Sequence, residues 1–152
     1  MSQHRRPHLQ VLVDFYHCAV GPQALQHSTG IRHTLREAIQ KSGMRIVDSL
    51  FHRFAGQGQG VTGVFIVAES HLIVHTWPEH RFLTLDIFFC NATGSNERKA
   101  QHAVRWLVAH YRPRWITTRR IRHTQGTRTH SPGPRHPPTL RRARPRASAV
   151  RD

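Results

Sequence analysis

Two rhythms of apolar and polar positions run along the chain. Leu9 to Tyr16 (LQVLVDFY) is apolar and β-prone and predicts a first strand, ended by Gly21-Pro22. From Gln23 to Lys41 the period changes. Leu25, Ile31, Leu35, Ala38 and Ile39 recur at helical spacing, and Ser42-Gly43 supplies a stop. Met44 to Phe54 reads as a second strand, followed by a loop at Ala55 to Gly60 (AGQGQG). Three more strands are predicted at Val61 to Ala68 (VTGVFIVA), Leu72 to Trp77 (LIVHTW) and Phe82 to Phe89 (FLTLDIFF), with Pro78 in the turn between the last two. Thr93 or Ser95 can cap a helix running to about His110, with Ala100, Ala103, Val104, Leu107 and Val108 on one face. Trp115 to Ile121 makes a short last strand. The order β-α-β-β-β-β-α-β predicts an α/β (α+β) sandwich: a mostly antiparallel sheet covered on one face by two helices.

Charge changes the picture at the C-terminal end. The chain has 152 residues and a formal net charge of +15, which on its face suggests nucleic acid or an acidic membrane. Residues 124–152 hold seven Arg and one Asp, together with five of the nine prolines, and almost no large apolar side chain. Such a segment cannot bury enough surface to offset its chain entropy. The expected division is a disordered N-terminus at 1–8, a folded domain at 9–123 and a disordered Arg/Pro-rich tail at 124–152. The tail offers charge for RNA, DNA or polyphosphate but no aromatic residue on which bases could stack. Cys18 and Cys90 are too few for a disulfide framework and are expected as free thiols. No apolar run reaches 18 residues, and the apolar stretch after the basic start is broken by Asp14. The expectation is a soluble cytoplasmic protein.

The chemistry concentrates in Ala68 to Glu79 (AESHLIVHTWPE). A serine hydrolase built from Ser70, His75 and Asp86 would need a Gly-x-Ser-x-Gly elbow, which is missing. A metal site from His71, His75, Glu79 and His80 would need two of its histidines on one helix face. On a strand, His71 and His75 stand roughly 13 Å apart and cannot share one ion. A non-catalytic basic nucleic-acid-binding module is the rival from another class.

A third reading comes from similarity. The pattern ESH-L-I-V-HT-W-PE resembles the signature of the prokaryotic S-adenosylmethionine decarboxylases. QVLVDFYHC (Gln10 to Cys18), FHRF (Phe51 to Phe54), GVTG (Gly60 to Gly63) and LDIFFC (Leu85 to Cys90) resemble that family's strands, so the likeness covers about residues 9 to 123. The resemblance implies self-cleavage between Glu69 and Ser70. The Ser70 hydroxyl attacks the preceding carbonyl, and the ester that forms eliminates the upstream chain. The residue left behind becomes a pyruvoyl group, which binds the substrate amine as a Schiff base and draws electrons during decarboxylation. The cofactor implied is this covalent pyruvoyl, with neither metal nor pyridoxal phosphate. His75 is implied as the proton acceptor in processing, helped by Thr62, and Cys90 as the proton donor in decarboxylation. Glu79 is implied at the ribose hydroxyls and Phe54 on the adenine. The implied place in metabolism is supply of the aminopropyl donor for spermidine. Arginine and ornithine decarboxylases with the same pyruvoyl chemistry are the alternative, because Gln10 stands where the family often has His.

Strand register adds a further expectation. Folding residues 70–90 around His80 sets Cys90 opposite Ser70. Folding 61–77 around Glu69-Ser70 sets His75 opposite Val64, one diagonal step from Thr62. Ser70 and His75 then lie about 16 Å apart on one strand and hardly meet within a protomer. A two-fold homodimer of cleaved protomers, (αβ)₂, brings Ser70 and Cys90 of one copy to Thr62, His75, Glu79 and Phe54 of the other.

Overall fold

The computed structural model describes residues 8–90 and 96–123. The expected disordered tail at 124–152, the expected caps Thr93 and Ser95, and the expected disordered N-terminus at 1–8 apart from His8 lie outside the described residues; His8 is instead the first residue of a strand, paired with His123. Six strands form a single sheet: β1 (His8–Tyr16), β2 (Ile46–Arg53), β3 (Val61–Val67), β4 (Ser70–Trp77), β5 (Phe82–Phe89) and β6 (Trp115–His123). Their spatial order is β2-β3-β4-β5-β1-β6, and every neighbouring pair is antiparallel. Helices α1 (Ser28–Lys41) and α2 (Glu97–Tyr111) complete the predicted sandwich.

Period-two alternation builds the core. Val11, Val13 and Phe15 of β1, Phe65 and Val67 of β3, Leu72 and Val74 of β4, and Leu85, Ile87 and Phe89 of β5 are buried on the helix side. Helix α1 contributes Ile31, Leu35, Ala38 and Ile39, and α2 contributes Ala100, Ala103, Leu107 and Tyr111. Each large apolar side chain so buried stabilises the fold by about 1.5–3 kcal/mol relative to exposure.

The helix expected to begin at Gln23 begins at Ser28 instead. Pro22–Leu25 forms a separate 3-10 turn with Leu25 fully buried. The Leu25 carbonyl accepts the Thr76 hydroxyl at 2.7 Å, so it is taken by the sheet rather than by a longer helix. Helix α2 takes Asn96 as its N-cap residue, one residue past the expected Ser95 and three past Thr93. It ends at Arg112, whose left-handed φ of 45° closes the last turn ahead of Pro113.

The second face of the sheet is different. Alternation puts Leu50, Val64, Ile66, Ile73 and Phe88 there, and neither helix lies over it. Leu50 is 70% exposed and Ile66 47%. A broad apolar sheet face left in water marks an interaction surface. Strand β6 is exposed along its whole length and carries Arg119, Arg120 and Arg122, charges that discourage edge-to-edge pairing.

Candidate active site

The β3–β4 hairpin closes with Val67 opposite Ser70, so the turn is Ala68-Glu69. The expected turn at Glu69-Ser70 is therefore corrected by one residue. A two-residue connection matches the right-handed twist of the flanking strands, which favours the tighter closure. The shift moves His75 from its expected place opposite Val64 to a place directly opposite Thr62. Thr62 Oγ1 and His75 Nδ1 share a hydrogen bond of 2.8 Å. The structure thus joins two of the candidate residues more closely than the sequence expectation did.

The β4–β5 connection corrects the second register. Trp77 pairs with Phe82 across the four residues Pro78 to Arg81, and Ser70 pairs with Phe89 rather than Cys90. Arg81 takes a left-handed φ of 47°, and its N–H donates to the Pro78 carbonyl at 3.0 Å, which fixes this even-numbered turn. Cys90 falls one residue further, beside the peptide that precedes Ser70. Its backbone N–H donates to the Glu69 carbonyl oxygen at 2.9 Å. A donor on that oxygen polarises the carbonyl and stabilises negative charge developing there.

Ser70 itself has a φ of 151°. That value belongs to a region seldom occupied by residues with a Cβ, and such strain typically amounts to about 1–3 kcal/mol. The bond expected to break is therefore held by a tight turn on one side and a strained residue on the other. Ser70 Oγ lies 3.5 Å from His71 Nδ1.

The Glu69 side chain is also anchored. Lys99 Nζ donates to its Oε1 at 2.7 Å, and the Arg45 N–H donates to Oε2 at 3.4 Å. Burial alone would raise this carboxyl. The Lys99 hydrogen bond, the backbone amides of Glu69 and Arg45 and the Lys99 charge outweigh burial and hold it below the usual Glu range.

The two thiols differ. Cys18 is fully buried, and burial pushes its thiol up to about 11, while Cys90 is only half-buried. A short treatment with iodoacetamide at neutral pH is expected to modify Cys90 well before Cys18, as read by peptide mass mapping. Equal labelling, or Cys18 first, would contradict the expectation that Cys90 is the more accessible thiol.

At the far end of the hairpin Phe54 is 52% exposed, with its ring 4.8 Å from His52 in a T-shaped contact. It is a free platform rather than a core residue. Glu79 lies in the short turn after β4 with its carboxylate packed against the Cα of Gly58, which has a φ of 78°. A side chain at Gly58 would strike that carboxylate. Gly58→Ala is expected to raise KM for the amine substrate roughly tenfold through displacement of Glu79, by an effect of the size misplacement produces. An unchanged KM would remove Glu79 from substrate binding.

Sequence reasoning missed three features. Asp86, assigned no role, accepts both Nε2 hydrogen bonds of Gln10, at 2.9 and 3.0 Å. This pairing also takes Asp86 out of the rejected hydrolase triad. Lys99 and Asn96 gave no motif, because their partners are about 30 and 6 residues away in the chain. An aromatic row, Trp77, Phe82, Tyr16 and Trp115, crosses four strands with ring centroids 4.9–5.5 Å apart. The proposed metal ligands do not converge: among the described residues no group of three His, Cys, Asp or Glu could hold an ion. No helix among them is long and apolar enough to cross a membrane.

Comparison with known proteins agrees with this geometry. The family described as S-adenosylmethionine decarboxylase matches residues 9–124. The chain is 38% identical over 80 residues to the S-adenosylmethionine decarboxylase proenzyme of Thermosipho melanesiensis, covering 53% of this chain and 58% of that protein. It is 33% identical over 100 residues to the proenzyme of the same name from Hydrogenobaculum sp., covering 66% of this chain and 69% of that protein. The aligned segment therefore spans somewhat more than half of the first relative and about two thirds of the second. The crystal structure of the adenosylmethionine decarboxylase from Aquifex aeolicus superposes with a TM-score of 0.69 at 25% identity, over 84% of this chain and 98% of that one. The chain belongs to the S-adenosylmethionine decarboxylase family.

Proposed function

We propose that this chain is a proenzyme that cuts itself between Glu69 and Ser70 and then decarboxylates S-adenosylmethionine. The observation that carries the reading is the Cys90 N–H on the Glu69 carbonyl, 2.9 Å away, beside the strained Ser70. The Ser70 Oγ attacks that carbonyl carbon. The C–N bond breaks as the Ser70 nitrogen takes a proton, and an ester remains. The Ser70 α-proton then leaves to a base, the Cβ–Oγ bond breaks, and Glu69 departs with a new carboxylate. Loss of ammonia to water leaves a pyruvoyl ketone at the start of the second chain. When formed, that ketone serves as the electron sink for loss of CO₂ from the bound amine.

The chain's own residues supply the rest. His75, oriented by Thr62 through their 2.8 Å hydrogen bond, is the base that removes the Ser70 α-proton. Cys90 is the acid that returns a proton to the substrate α-carbon. Phe54 offers its exposed ring to the adenine, and Glu79 its carboxylate to the ribose hydroxyls.

His75 cannot serve the Ser70 of its own protomer, since five residues of strand separate them by about 16 Å. A second copy supplies it. Two open sheet faces, stacked about a two-fold axis with their β4 strands opposed, bring the end of the sheet that carries Glu69, Ser70 and Cys90 in one protomer toward Thr62 and His75 of the other. The exposed Leu50 and Ile66 on that face support this (αβ)₂ assembly.

The test is release of labelled CO₂ by the matured protein from carboxyl-labelled S-adenosylmethionine, arginine and ornithine in parallel. Turnover of S-adenosylmethionine alone is expected. Turnover of only arginine or ornithine would transfer the same chemistry to an amino-acid substrate, and none at all would remove the catalytic reading.

A further inference from the structure

The bond proposed to break is gripped from outside the hairpin, by the start of α2. Lys99, in the first turn of that helix, reaches back to Glu69 with an ion pair of 2.7 Å. The Glu69 side chain is 13% exposed and that of Lys99 35%, so water screens this pair less than an ordinary surface contact. Asn96, at the N-cap position of the same helix, donates its Nδ2 to the Cys90 carbonyl at 2.8 Å. One helix end thus holds both residues that meet at the scissile carbonyl. Asn96 fixes Cys90, whose N–H is on the oxygen, and Lys99 fixes Glu69, which owns that oxygen.

We propose that Lys99 is a positioning residue for the self-cleavage, anchoring the Glu69 side chain so that its carbonyl stays on the Cys90 amide and within reach of Ser70 Oγ. This rests on the reading that the chain cuts itself at Glu69–Ser70. The physical ground is local. Glu69 is the second residue of a two-residue turn, and without an anchor its long side chain and its peptide retain rotational freedom that the attack must remove. The attack forms the Oγ–C bond, places negative charge on the carbonyl oxygen, then breaks the C–N bond as nitrogen gains a proton. Only the geometry in which the Cys90 N–H faces that oxygen stabilises the charge. Without Lys99 the half-buried carboxylate loses its closest cation, and the turn relaxes to rehydrate it. After the cut the same pair bridges the two products, because Glu69 ends the first chain and Lys99 belongs to the second.

The experiment times the appearance of the two fragments by denaturing electrophoresis after synthesis of the full chain. It compares wild type, Lys99→Met, Lys99→Arg, Glu69→Gln and the double variant Glu69→Gln/Lys99→Met. Lys99→Met is expected to slow cleavage between about tenfold and a hundredfold, the range that loss of precise positioning produces. Lys99→Arg, which keeps the charge and the reach, should recover most of the rate. The double variant should be no slower than Glu69→Gln alone, because Lys99 acts only through Glu69.

Thermal melting of Lys99→Met in an uncut Ser70→Ala chain provides the structural control. The ion pair is partly exposed, so the midpoint should move by only a few degrees. Wild-type cleavage by Lys99→Met, independent slowing in the double variant, or a collapse of the melting midpoint would each overturn the positioning role. A wild-type chain that never divides would overturn the cut itself, a result distinguishable from all three.

Discussion

Ser70→Ala is expected to give one undivided chain of 152 residues with no decarboxylase activity. The attacking atom in the proposed cut is the Ser70 hydroxyl oxygen, and alanine removes it with no neighbouring group placed to substitute. Peptide bonds without catalysis persist far longer than any preparation, so the loss is expected to exceed about a millionfold. The fold should survive. Ser70 is held in the sheet by its backbone, opposite Val67 and Phe89, and those pairings do not involve the hydroxyl. A melting midpoint at or slightly above that of the uncut wild type would show that only chemistry was lost, since alanine also relieves nothing but a polar contact. Fragments of 69 and 83 residues appearing in the variant would leave the cut in place and assign the nucleophile to another group.

His75→Ala alone is expected to stall as an ester, and rescue in trans is the second large effect. On the proposed assembly, co-expressed Ser70→Ala and His75→Ala chains are expected to form mixed dimers. In one of the two sites of such a dimer, the His75→Ala chain supplies Ser70 and Cys90 while the Ser70→Ala chain supplies Thr62 and His75. The other site lacks both. Up to half the His75→Ala chains should therefore convert to a pyruvoyl fragment, while neither variant produces one when expressed alone. The signal rises from none to tens of per cent, because the α-proton either has a base within contact or has none. The ester that accumulates in His75→Ala alone is cut by hydroxylamine, which distinguishes a stalled chain from an unstarted one. Failure of the mixed dimers to mature, with heterodimer formation shown by a size tag, would place Ser70 and His75 in one protomer and contradict the stacked-face assembly.

Much of this fold was legible in the chain. The alternation in VTGVFIVA and FLTLDIFF locates β3 and β5 to within a residue, because one face of each is buried and a slip of one would invert it. The spacing of Ile31, Leu35, Ala38 and Ile39 locates α1 for the same reason at a different period. What escaped was set by tertiary contacts. Leu25 looked helical by spacing, yet its carbonyl belongs to Thr76, 51 residues on. Both hairpin registers were misplaced by a residue or two because turn length is decided by backbone twist and the left-handed Arg81, not by side-chain pattern.

The site shows the same division. Ser70, His75 and Cys90 stand in one recognisable motif, because they share a hairpin and its continuation. The Thr62–His75 contact was visible only as a near miss, until the true turn brought the two face to face. Lys99 and Asn96 carry no pattern of their own. They matter through the placement of the start of α2 beside the β3–β4 turn and the residue that follows β5, which only the assembled fold reveals.

The most direct measurement is the intact mass of the purified wild-type protein after it has been allowed to mature. The account predicts two polypeptides, residues 1–69 ending in a free carboxylate and residues 70–152 lighter by one ammonia than a chain starting with serine. A single species at the mass of the uninterrupted chain, unchanged with time, would contradict it.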